Sequence, residues 1–171
     1  MLHKEEIIKK MKEYFAGDKK RINHALQVAN YADELIKLYQ KEELNQEINP
    51  EVIIYTAILH DIGIKNSEKK YGSSAPRYQE IEGPPVARNI LSSLSIKGSI
   101  IDEVCEIIGN HHSPGKINTY NFSLLYDADW LVNLPDIHDL CKKSQQEIKN
   151  IINKLYLSEV GKKKAKEIFL N

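Results

Sequence analysis

The 171-residue sequence predicts an all-α fold, a single-domain bundle of about six to eight helices. Three observations predict it. Apolar residues recur at spacings of three and four along most of the chain, the period of one helix face. No stretch shows convincing strand alternation. The breaks between apolar runs carry helix start and stop residues.

The elements follow in order. Leu2, Ile7, Ile8, Met11, Tyr14 and Phe15 recur at helix spacing and end near Gly17-Asp18. In "RINHALQVANYADELIKLYQ", Ile22, Leu26, Ala29, Ala32, Leu35 and Ile36 form a broad apolar stripe. "NPEVIIYTAILHD" opens with Asn49 as an N-cap and Pro50 in the first turn, and Gly63 stops or bends it. Residues 65 to 80 are polar, contain Gly72, Ser73, Ser74 and Pro76, and predict a flap. Pro84-Pro85 can open the next helix, which carries Val86, Ala87, Ile90, Leu91 and Leu94. A helix from about Ser99 to Asn110 is broken by "HHSPGK". "NFSLLYDADWLVNL" forms a helix ending near Pro135, and one or two C-terminal helices run to Phe169. The expected domain spans residues 1–171, with the motif region at about 20–135 and C-terminal helices over 136–171.

Lys+Arg and Asp+Glu both number 24, so the formal net charge is zero. A nucleic-acid partner is therefore disfavoured, because such proteins usually carry a basic excess. The Lys162-Lys163-Lys164 run reads as a solvated helix face. Cys105 and Cys141 stand in no metal or redox spacing, which points to a reducing compartment. The charged N-terminal residues resemble no signal peptide, and no apolar run approaches the ~20 residues of a membrane span. A cytoplasmic location is expected.

Polar groups on apolar faces carry the functional reading, because burying one unpaired costs about 2 to 7 kcal/mol. His24 aligns with Val28, Tyr31 and Leu35 beside the stripe of its helix. His60 continues the buried face of Thr56 and Ala57. Asp61 points about 100° away from it in mid-helix but could share a ligand where the helix ends. Asp129 falls between Leu125 and Val132 on a face that should be buried, whereas Asp127 is expected in a supporting or solvent-facing position. His111 and His112 close another helix. Each residue alone has an ordinary structural explanation, such as a satisfied core histidine or a helix-end charge. Together, four of the six histidines and two aspartates in one small bundle call for a cation. Imidazole and carboxylate suit Mn²⁺, Fe²⁺, Co²⁺, Ni²⁺ or Zn²⁺, with Mg²⁺ as the harder alternative.

His24, then His60-Asp61, then Asp129 resemble the ordered H…HD…D signature of the HD-domain superfamily. The local contexts "NHALQVANYADEL", "AILHDIG", "IIGNHH" and "DADWLVNL" resemble it as well. The resemblance implies an all-α fold and a divalent metal, one per chain, held by His24, His60, Asp61 and Asp129. It also implies phosphohydrolase activity on a nucleotide or another small phosphate ester. Some members bind a second metal through additional histidines. Here Tyr78–Glu82 has none, which argues for one metal, or for Glu80 or Glu82, with His111, as substitute ligands of a second. No cyclic-dinucleotide phosphodiesterase extension and no synthetase half accompany the signature.

The expected chemistry is attack of a metal-activated water on phosphorus. Asp61 would be ligand and proton acceptor, with His111 or His112 as general acid or phosphate contact. Arg21, Lys65 and Arg77 are the cationic candidates for phosphate binding, although each could equally be an ordinary surface cation. The competing readings are an HD-fold diiron oxygenase, a non-catalytic metal- or ligand-binding HD module, and an RNA-associated protein.

Overall fold

A computed structural model describes residues 3–137 and 139–170. Leu2, expected on the first helix face, lies outside the described residues. Helices account for the regular structure, and no strand occurs among the described residues. Helix α1 spans Lys4–Phe15, α2 Lys19–Lys41, α3 Pro50–Leu59, α4 Ile64–Tyr71 and α5 Pro76–Ser92. Helix α6 spans Gly98–Ile108 and α7 Tyr120–Ile137; a 3-10 turn at Leu140–Lys142 leads to α8 at Gln145–Leu155 and α9 at Glu159–Phe169.

The core is built around α3. Every residue from Val52 to Leu59 is buried, so this helix is apolar all round and must be surrounded. Helices α1, α2, α6 and α7 pack against it. Asn49 caps it, its side chain accepting from the backbone N–H of Glu51 and Val52. Asp18 caps α2 in the same way, and Ser144 and Glu147 form a capping box on α8. Helix α2 also packs on α7, α5 packs on α4 and α6, and α9 packs on α2, α7 and α8. No described helix is long and apolar enough to cross a membrane.

Two expectations are corrected. The polar stretch after Lys65 is not one long flap. Most of it is helical, shared between α4 and the start of α5, and only Gly72–Ala75 connects the two. "IKNSEKKY" consists largely of residues a helix accepts, and its polarity reflects exposure: only Ser67 is buried. Pro84-Pro85 does not open a helix either. Both prolines lie inside α5, which begins at Pro76. They remove two backbone donors, so the carbonyls of Glu80 and Ile81 lose their partners four residues ahead. The Lys162-Lys163-Lys164 run is a charged face, pairing with Glu159, Glu42 and Glu34. Cys105 and Cys141 are both free thiols.

Candidate metal centre

The packing of α2, α3 and α7 brings the predicted set together. His24 comes from α2, His60 is the C-cap of α3, Asp61 follows it in the turn before α4, and Asp129 comes from α7. The turn can hold two adjacent side chains toward one point because Gly63 lets the chain pass under α5. A Cβ at Gly63 would overlap the carbonyl oxygen of Gln79 and lie 2.6 Å from the nitrogen of Gly83. Gly83 is equally confined, with Ile108 Cγ2 at 2.6 Å from its would-be Cβ.

His24 Nε2 lies 3.1 Å from Asp129 Oδ1, 3.2 Å from His60 Nε2 and 3.6 Å from Asp61 Oδ2. His60 Nε2 lies 3.6 Å from both Asp61 Oδ2 and Asp129 Oδ1. A fifth side chain approaches: His111 Nε2 is 3.6 Å from Asp61 Oδ1. The outer nitrogens of two rings are anchored. His60 Nδ1 donates to the carbonyl of Ala57 at 3.0 Å, and His111 Nδ1 to that of Ile108 at 2.7 Å. A carbonyl oxygen only accepts, so Nδ1 carries a proton in each ring and the neutral ring presents its Nε2 lone pair to the cluster. Asn133, one turn beyond Asp129, donates to its Oδ1 at 2.8 Å and orients it.

The electrostatics follow from this crowding. Burial opposes charge on Asp61 and Asp129, but the imidazoles outweigh it and hold both carboxyls below the usual range. His60 and His111 act on Asp61, and His24 and His60 on Asp129. Burial also opposes charge on His24 and His111, yet Asp129 and Asp61 respectively raise both rings. Burial lowers His60, and burial with His111 nearby pushes His112 down to about 4.

These residues fit a divalent cation. Ligand bonds of about 2.1 Å place neighbouring ligand atoms about 3.0 to 3.4 Å apart in octahedral or tetrahedral geometry. The observed separations of 3.1 to 3.6 Å lie close to that range. The Nε2 of His111 is buried and has no hydrogen-bond partner, an orphan a cation or its water would satisfy. Outer nitrogens donating to backbone carbonyls are also the usual support for metal-ligating histidines. Two overlapping groups could hold an ion: His24, His60 and Asp61, and Asp61, His111 and His112.

Part of the cluster opens to a cavity of about 600 Å³, which His60 and His111 do not line. Its lining includes Lys20, Arg21, Gln79 and His112 beside His24, Asp61 and Asp129. Of the expected phosphate contacts, Arg21 is at the cavity, where it also pairs with Asp18 and Glu68. Lys65 and Arg77 are not among the lining residues. Lys65 donates to the carbonyl of Tyr14 and sits over its ring, and Arg77 stacks on Tyr78. Glu80 accepts from the backbone N–H of His112 and the hydroxyl of Ser113, fastening the histidine turn from outside. Glu82 is buried against Lys70 and Tyr71. Neither glutamate belongs to a ligand group among the described residues.

Of the two positions expected for Asp127, the solvent-facing one is corrected: the residue is fully buried in α7, and its carboxylate reaches the N-terminus of α9. Its carboxylate accepts from the backbone N–H of Leu157 and Ser158 and from the Ser158 hydroxyl at 2.5 Å. Burial still dominates and raises its pKa to about 6. A helical wheel places Asp127 away from α2 and α3 but cannot reveal that α9 covers that side. Lys20, Gln79 and Asn133 were missed as site residues. Asn133 alone left a signal, its position four residues after Asp129.

The chain matches the HD domain over residues 21–162 and belongs to that family. Its members are typically metal-dependent phosphohydrolases with an all-α fold. No curated protein and no solved structure matches the chain.

Proposed function

We propose that the protein is a divalent-metal-dependent phosphohydrolase acting on a small phosphate ester, such as a nucleotide. The observation that carries the reading is the convergence of His24, His60, Asp61 and Asp129 at 3.1 to 3.6 Å, beneath a cavity with Lys20 and Arg21 in its lining. His24, His60, Asp61 and Asp129 would hold one metal ion, which would supply Lewis-acid activation of water and neutralise phosphate charge.

The chain's own residues divide the remaining work. Asp61 is held ionised and meets the histidines with both oxygens, so it can take a proton from the attacking water. His111, raised by Asp61 against the effect of burial, would in its protonated form donate from Nε2 toward the leaving oxygen. His112 stays neutral down to about pH 4 and lines the cavity, where it steadies the ester. Arg21 and Lys20 attract and orient the phosphate. A zero net charge favours a small molecule over a nucleic acid as the partner.

Metal content by elemental mass spectrometry, on wild type and Asp129→Ala purified without chelator, tests the reading. About one transition metal per chain, lost in the variant, with turnover in a phosphate-ester panel, is the expected result. Two metals per wild-type chain would favour the diiron oxygenase reading, with His111 and His112 completing the second group. No metal after Mn²⁺ or Fe²⁺ reconstitution would overturn the mechanism and leave a non-catalytic module.

A further inference from the structure

The cavity has a second orphan, which the metal reading does not use. Gln79 lies in the first turn of α5, lines the cavity with Ser74, Asp61 and His112, and is only 6% exposed. Its Nε2 donates to the carbonyl of Ser74 at 2.5 Å. That bond fixes the amide orientation, because a carbonyl can pair only with the nitrogen end. The other end, Oε1, is buried and has no donor at all. A buried acceptor without a donor is rare in a folded protein. The Gln79 carbonyl is the atom pressed against Gly63, and its N–H bonds to Ala75.

We infer that Gln79 is a specificity-determining residue whose Oε1 accepts a hydrogen bond from a hydroxyl or amino group on the organic part of the substrate. The inference rests on the phosphate-ester reading of the same cavity and names the substrate class within it. Two properties of the site favour a donor-bearing ester. At Oε1 a substrate acceptor would meet only another lone pair, whereas an O–H or N–H completes the amide. The cavity, about 600 Å³, is also larger than a phosphate group requires, leaving room for a sugar or nucleoside.

The test is a preference measurement on Mn²⁺-loaded protein. Sugar phosphates and nucleoside monophosphates are each paired with the deoxy or dideoxy counterpart. Both kcat/KM and the calorimetric Kd are read for wild type, Gln79→Met and Gln79→Glu. The methionine keeps the size and removes the acceptor. The glutamate keeps an acceptor and loses the Ser74 contact. Wild type should favour the hydroxyl-bearing member of at least one pair by about 10- to 100-fold. Gln79→Met should collapse that preference to within about threefold, and Gln79→Glu should retain it. Equal loss of preference in both variants, or equal weakening of both pair members, would overturn the inference and leave Gln79 as a loop clasp. A Gln79-dependent binding preference without hydrolysis would uphold the inference and defeat the phosphohydrolase reading. Hydrolysis without such a preference in any pair would do the reverse. Absence of both binding and hydrolysis would overturn both.

Discussion

At Gly63 a missing side chain lets the backbone of α5 cross the α3–α4 turn, and the position of the His60-Asp61 doublet depends on that crossing. The atoms a methyl group would strike are backbone atoms of Gln79 and Gly83, which cannot rotate away. Gly63→Ala should therefore cost about 3 kcal/mol in urea unfolding, at the severe end of overpacking. Gly98→Ala, where a Cβ would meet nothing within 4 Å, should change stability by less than about 0.5 kcal/mol. The sequence showed that Gly63 would interrupt a helix. It did not show what crosses there, because the crossing partner lies in α5 and its reason is steric. The same limit explains Asp127. Its environment is the N-terminus of α9, about thirty residues later, and no local period encodes that contact.

Helix α5 shows how an element differs from its sequence pattern. Pro76 and Pro84-Pro85 both resemble helix starts, yet only the first is one. Tertiary contacts carry the helix through the second pair: Gly83 against Gly63 and Ile108, and the thiol of Cys105 donating to the carbonyl of Pro84. Glu82 ties α5 to α4. It is buried, ion-paired with Lys70 at 2.6 Å, and accepts from the Tyr71 hydroxyl at 3.0 Å. Lys70 first, then Tyr71, lowers the Glu82 carboxyl below its ordinary value of 4.5. A lowered folded-state value means that this contribution is fully present above pH 4.5 and is lost as the pH falls through the folded value. Wild type should thus exceed Glu82→Gln in stability by a constant margin near neutrality. That margin should shrink below pH 4.5 in paired denaturant titrations. A margin that persists unchanged into acid would mean that packing, not charge, is what Glu82 supplies.

Across the whole molecule, α2, the end of α3 with the turn after it, and α7 deliver the four expected ligands, and α8 and α9 deliver none of them. Their role is to hold α7 in place through Asp127 and Ser158. Three of the expected ligands were legible because each lies on or at the end of a helix whose buried face the apolar spacing already defines, and Asp61 was legible as the neighbour of His60. His24 sits beside the stripe of α2, His60 continues the buried face of α3, and Asp129 interrupts that of α7. The rest of the cavity was not legible. Lys20 and Gln79 line it and Lys65 instead donates to the carbonyl of Tyr14, placements set by tertiary packing and not by local spacing. Sequence spacing carries the face of a helix but not the angle at which it crosses its neighbours.

The pairing of His24 with Asp129 joins positions 105 residues apart (129 − 24), and that span has a kinetic consequence. Closing so long a loop is entropically costly, so docking of α2 on α7 belongs late in folding, after the barrier. An ion that recognises only the closed set cannot lower a barrier at which the set does not yet exist. It acts as a lock on the way out. In stopped-flow experiments, Mn²⁺ at 100 times its Kd should slow unfolding by about 100-fold and leave the refolding rate unchanged. Asp129→Ala should abolish the effect. That protection would last only while free metal is present: on chelation the ion leaves the folded protein at its own dissociation rate, and unfolding returns to the metal-free rate.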